Sequence, residues 1–181
     1  MWDALAVSRA MKRHRDELFA GTARPVGQEP HALLKAICDY VSKSGGCEVR
    51  LMLEPFPPDT VSGLWLDLGD HEVIAVEKNT LPFHQMVILG HELWHRKEGR
   101  CGQPGSPAGG AAAARMLGDR WDLEEALAHV AARTDHSVAE ERRAEKFGRL
   151  LAARFRPFLL GAHDGTPPGD VAGRIWASLA G

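Results

Sequence analysis

Gly90-His91-Glu92-Leu93-Trp94-His95 contains the pattern HExxH. On an α-helix, residues four apart stand on one face a single turn apart, so His91 and His95 can converge on one metal ion. Glu92 projects beside them, placed to take a proton from an attacking water. The flanking residues predict the helix itself. Thr80 reads as its N-cap and Pro82 sits in the first turn, where a missing N–H costs nothing. Phe83, Val87, Gly90 and Trp94 then fall on one apolar stripe, and His84, Ile88, His91 and His95 on its neighbour. With Ile88, Leu89, Leu93 and Trp94 packed around the histidines, a buried helix whose polar edge faces a cleft is expected. The alternative is an ordinary amphipathic helix with two histidines on it.

Two histidines need a third ligand. The spacing HExxHxxGxxH fails here, because Glu98 stands where that pattern has Gly and Cys101 where it has His. Cys101 could bind as a thiolate, but it lies in a run with Lys97, Gly99 and Gly102 around it. A carboxylate from a second helix is the other source, and the segment from Ser137 to Phe147 offers Glu140, Glu141 and Glu145. Ser137 and Glu140 have capping-box spacing, which gives Glu140 a structural task. Glu141 and Glu145 share a face, and Ala144 between them is small enough for a close helix approach. Glu141 is placed as metal ligand, with Glu145 accepting the second N–H of a ligating imidazole. A solvated face laced by pairs of the Glu141–Arg142 and Glu145–Arg149 type remains the alternative.

Glu141-Arg142-Arg143-Ala144-Glu145-Lys146-Phe147-Gly148-Arg149-Leu150-Leu151 after HExxH resembles the second helix of the ImmA/IrrE-like metallopeptidases, small bacterial gluzincins. The likeness runs from about residue 30 to 155 and takes in Ser62–Asp67 and Glu72–Val76, similar to the hairpin that leads into that family's metal helix. It implies an α+β, minimal zincin-like fold, in which a small mixed or antiparallel sheet packs on the HExxH helix and on a second, Glu-bearing helix. It implies a Zn²⁺ cofactor held by His91, His95 and Glu141, and Glu92 as catalytic base. It also implies a protein substrate or partner, typically a helix-turn-helix regulator, and cleavage of that regulator or service as the toxin of a toxin–antitoxin pair. A zinc-binding regulator that acts by association without proteolysis is the rival. The chain departs from the family pattern at Arg96 and Lys97, where an uncharged residue usually follows the second histidine. It departs again at Glu145 in place of Asn or Asp, and at Gly148 in place of Ala.

The chain has 181 residues, enough for one core, and Lys plus Arg of 22 against Asp plus Glu of 24 leaves no basic surplus. Direct nucleic-acid or anionic-membrane partners are not expected from that balance. No apolar run is long enough to span a bilayer, Met1-Trp2-Asp3 does not begin a signal peptide, and Cys38, Cys47 and Cys101 have no CxxC spacing, so a cytoplasmic location is expected.

Residues 1–28 read as an N-terminal helix and linker, 29–160 as the catalytic domain with an insertion at 102–118 and a further helix at about 119–133, and 161–181 as a tail ending in a short helix. Within the domain, a helix from about Glu29 to Ser42 buries Leu33, Leu34, Ile37 and Val41, and Glu48–Leu53 is a strand. Gly63–Leu68 and Glu72–Val76 form a hairpin across Gly69-Asp70-His71. The strand Leu64–Leu68 is the expected edge for an extended substrate. Trp65 and Leu66 are its candidate contacts, although Trp65 equally suits a core or rim position. His129 and His136 are candidates for stabilising an oxyanion, or ordinary solvated histidines.

Overall fold

A computed structural model describes residues 4–22, 30–98 and 138–160. The expected insertion at 102–118, the helix at 119–133, the tail from 161, and Cys101, His129, His136 and Ser137 lie outside the described residues. Within them, helices α1 (Ala4–Gly21) and α2 (Pro30–Gly45) precede strands β1 (Glu48–Glu54), β2 (Gly63–Asp67) and β3 (His71–Glu77). Helices α3 (Pro82–Glu98) and α4 (Val138–Leu160) follow. The class is α+β. No described helix is long and apolar enough to cross a membrane.

The three strands form one mixed sheet in the order β1-β3-β2. β1 runs parallel to β3 from Glu48↔His71 to Glu54↔Glu77, and β2 runs antiparallel to it from Gly63↔Val76 to Asp67↔Glu72. The chain leaves β1, passes to the far edge, and returns through the hairpin into the centre. The hairpin closes with Leu68 N–H on His71 O at 3.0 Å and with Gly69 at a φ of 91°, a conformation that suits glycine. β3 is buried from Glu72 through Val76, as a central strand covered on both faces should be.

The faces divide as side-chain alternation requires. Val49, Ile74 and Val76, flanked by Leu51, Leu53 and Trp65, join the helices in the main core. Leu64, Leu66, Leu68, Val73 and Ala75 form a smaller cluster on the opposite face with Met52 and Phe56. α2 buries Leu33, Leu34, Ile37, Cys38 and Val41 and ends where Gly46 turns to a φ of 71°, with its N–H on Ser42 O at 3.0 Å. The Ser42 hydroxyl also accepts the Val49 N–H at 2.8 Å, which ties the end of α2 to the start of β1.

α3 begins at Pro82 as expected, one residue off the expected cap. The carbonyl that takes the first helical bond is that of Leu81, from Gln85 N–H at 3.0 Å, while the Thr80 hydroxyl lies 3.5 Å from His84 Nδ1. α4 buries Ala144, Phe147, Gly148, Leu151, Ala152, Phe155 and Leu159, a stripe of helical period. α3 and α4 meet at two glycines. A Cβ on Gly148 would stand 2.3 Å from the Val87 carbonyl oxygen, and one on Gly90 would stand 2.8 Å from the Gly148 Cα. The helices therefore touch backbone to backbone, and the closest approach is at Gly148, not at the expected Ala144, which is buried one turn earlier.

α1 packs on α4 and α2 through Met11 and Leu18. Between them His14 stacks on Phe147 with ring centres 5.3 Å apart, and Trp94 lies 6.5 Å away. Burial, with the Lys97 charge in support, pulls the His14 pKa down to about 4.

Two outcomes are expected. An exposed helical Gly→Ala change stabilises by up to about 1 kcal/mol, but Gly148→Ala should destabilise by about 1–3 kcal/mol because backbone must move. The denaturant midpoint measures this, and a midpoint at or above the wild-type value would contradict the crossing. For His14, the unfolded chain takes up a proton below about pH 6.5 and the folded chain only near pH 4. Its contribution is whole above pH 6.5 and is lost as pH falls through that window. In chelator-treated protein, the stability advantage of wild type over His14→Phe should therefore shrink by about 3 kcal/mol between pH 7 and pH 4. Parallel pH profiles would refute it.

Candidate metal centre

The glycine crossing determines which residues of α4 reach the histidines. Glu141 lies two turns before Gly148 and beside the face that packs on α3. His91 and His95 present their Nε2 atoms 2.9 Å apart, and Glu141 lies 3.3 Å from each, Oε2 to His91 and Oε1 to His95. All three ligand atoms fall within 4.8 Å of one another, and among the described residues this is the one such group of His, Cys, Asp or Glu. Ligands about 2.1 Å from a common tetrahedral ion would be about 3.4 Å apart, near the spacing of Glu141 from each imidazole and wider than that between the imidazoles, so this donor set could hold a divalent cation with a fourth position left for water. His95 is buried, His91 three-quarters buried and Glu141 half-exposed, so the site is anchored on α3 and opens on the α4 side.

Glu92 is buried at 9% exposure. Desolvation, then the neighbouring Glu141 charge, push its pKa up to about 8, against a bond from the Trp65 backbone that pulls it down. A cation held by the three ligands would act in the same downward direction. Room for Glu92 comes from β2. A Cβ on Gly63 would stand 2.8 Å from Glu92 Oε1 and 2.4 Å from Ile88 Cγ2. A side chain at this position would displace the Ile88 and Glu92 side chains from where they lie.

The structure thus brings together His91, Glu92, His95 and Glu141. Glu145 goes elsewhere. Its carboxylate pairs with Arg149 on the exposed side of α4, in place of the expected bond to a ligating imidazole. The buried stripe of α4 runs through Ala144 and Gly148, so a helix that turns Glu141 toward α3 leaves Glu145 about a quarter-turn outside the contact. Leu66 is 7% exposed inside the smaller apolar cluster, so its side chain faces away from α3, and its register opposite Val73 turns its backbone groups toward β3 and not to the open edge. Trp65 packs against the main core, and its indole N–H donates to Glu72 Oε2 at 2.7 Å.

Three contributors escape the motif. Gly148 and Gly63 create the close approaches; the one signal in the sequence is the glycine at 148 where the pattern it resembles has Ala, and nothing marks Gly63. The third is Glu72, fully buried on β3 and held by Arg96 through two bonds, Nε to Oε2 at 2.7 Å and a terminal nitrogen to Oε1 at 2.8 Å. A charged residue at an inward position of a buried strand demands a partner, and Arg96, one turn beyond Glu92, supplies it. At the end of α3, Arg143 from α4 grips Glu98 at 2.8 Å and closes the same helix pair from outside.

Added zinc should stabilise the wild-type protein by about 2.7 kcal/mol at a hundredfold excess over Kd, read from its denaturation curve. Glu141→Ala should lose most of that gain while Glu145→Ala keeps it. Equal gains in all three would remove Glu141 from the site. The chain matches no family model, no curated protein and no solved structure.

Proposed function

We propose that the protein is a zinc-dependent metallopeptidase. The observation that supports this most is the convergence of two imidazoles and one carboxylate within 4.8 Å, with a buried second carboxylate, Glu92, beside them. His91, His95 and Glu141 would hold Zn²⁺, which when bound supplies Lewis acidity to a water and to the substrate carbonyl. The chain's own residues do the rest. Glu92 takes a proton from the attacking water as its oxygen bonds to the carbonyl carbon, and returns that proton to the leaving amine as the C–N bond breaks.

β2 is suited to hold the substrate. The bonds Glu77 N–H to Ser62 O and Leu68 N–H to His71 O fix the paired positions at even residues. Gly63, Trp65 and Asp67 therefore turn their backbone groups away from β3; the Trp65 N–H faces the Glu92 carboxylate, and an extended peptide could pair with the remaining groups of that edge. The substrate class that the sequence resemblance implies is a regulatory protein, a helix-turn-helix repressor or the partner in a toxin–antitoxin pair. Regulation by association alone drew on Arg96, Lys97 and Glu145. Arg96 is engaged by Glu72 and Glu145 by Arg149, and regulation by association stays the alternative reading.

Glu92→Gln should keep the metal and lower turnover by about 10²–10⁴-fold, since it removes proton transfer and leaves coordination intact. Cells producing wild type or Glu92→Gln can be compared by labelling newly formed protein N-termini. Termini found with wild type alone are expected, and identical sets in the two strains would contradict peptidase activity.

A further inference from the structure

Glu72 has no exposed surface, and its two carboxylate oxygens are engaged by Arg96 and the Trp65 indole over 2.7–2.8 Å. Arg96 itself is 14% exposed. Space for its guanidinium is left at the end of α2, where a Cβ on Gly45 would stand 3.1 Å from a terminal nitrogen. An ion pair this deeply placed gains little stability over a well-packed apolar pair, because the desolvation of both charges opposes their attraction. Directional bonding is what it adds.

The directions are informative. Arg96 stands one helical turn after Glu92 on α3. Trp65 faces both ends of that turn: its indole reaches Arg96 through Glu72, and its backbone lies by the Glu92 carboxylate, near enough to favour its charged form. The register turns the Trp65 N–H away from β3, so Glu92 does not compete with the sheet for it. Gly63, two residues earlier on the same edge, leaves the space in which Glu92 Oε1 lies.

We propose that Glu72, Arg96 and Trp65 form a buried brace that fixes the outward edge of β2 against α3 as the seat of the Glu92 carboxylate. Glu72 and Arg96 are positioning residues for Glu92, whose role as base rests on the peptidase proposal. The brace sets the distance between strand and helix. The glycine at 63 and the Trp65 amide then hold the carboxyl group at the β2 edge, within reach of the Glu141 charge.

The test reads the seat itself and needs neither metal nor substrate. In metal-free, ¹⁵N-labelled full-length protein, the Trp65 backbone amide is followed by chemical shift and hydrogen exchange in wild type, Glu92→Ala, Arg96→Lys and the double variant Glu72→Met/Arg96→Met. Glu92→Ala should move the Trp65 amide upfield and speed its exchange at least about tenfold. The double variant replaces the ion pair by apolar side chains and should keep a denaturation midpoint near wild type, yet show the same displaced, fast-exchanging amide. Arg96→Lys, which keeps the charge without the fork, should fall between wild type and the double variant.

A double variant with a wild-type Trp65 signal would reduce the brace to simple cohesion and overturn the proposal. An amide indifferent to Glu92→Ala would overturn it as well, by showing that the carboxylate has another seat. Failure of the zinc proposal would appear separately, as absence of bound metal, and would leave these signals unchanged.

Discussion

The contact on which the rest depends is the crossing of α3 and α4 at Gly90 and Gly148. Backbone meets backbone there, with a Val87 carbonyl oxygen 2.3 Å from where a Cβ on Gly148 would be. One methyl group on either glycine would push α4 outward, and Glu141, two turns away, would move with it. The 3.3 Å spacing of the carboxylate from both imidazoles is a consequence of that contact. Arg143 on Glu98 and the stack of His14 on Phe147 then hold α4 from two further sides.

A second close approach, α3 against β2, is set by Gly63 and by the Glu72–Arg96 pair. The two approaches serve different residues. The helix crossing brings Glu141 to the histidines, whereas the strand contact governs Glu92. The placement of the three candidate ligands and that of Glu92 thus depend on separate parts of the core, and a substitution can disturb one while sparing the other.

Much of this was legible in the sequence because the signals are local. HExxH between a Pro82 start and a run of apolar residues specifies a helix with its histidines on one face, and the alternation of Leu64, Leu66 and Leu68 with Trp65 and Asp67 specifies the strand and both its faces. Gly69 marks the hairpin. The parallel pairing of β1 with β3 was not legible, since nothing in Glu48–Glu54 records which strand lies beside it. Nor was the fate of Glu145. Spacing puts it on a face with Glu141, but the contact line of α4 is decided by where the partner helix leaves room, and that is at Gly148. Arg96 looked anomalous beside the second histidine only because its partner, Glu72, is 24 residues away in sequence.

The proposed function stands on α3 and α4 together holding zinc through His91, His95 and Glu141. Elemental analysis of wild type, Glu141→Ala and Glu145→Ala, purified in parallel without chelator, tests it most directly. Near one zinc per chain in wild type and Glu145→Ala, with a clear loss in Glu141→Ala, is the expected result. Wild-type protein without metal, or Glu141→Ala loaded as fully as wild type, would contradict it.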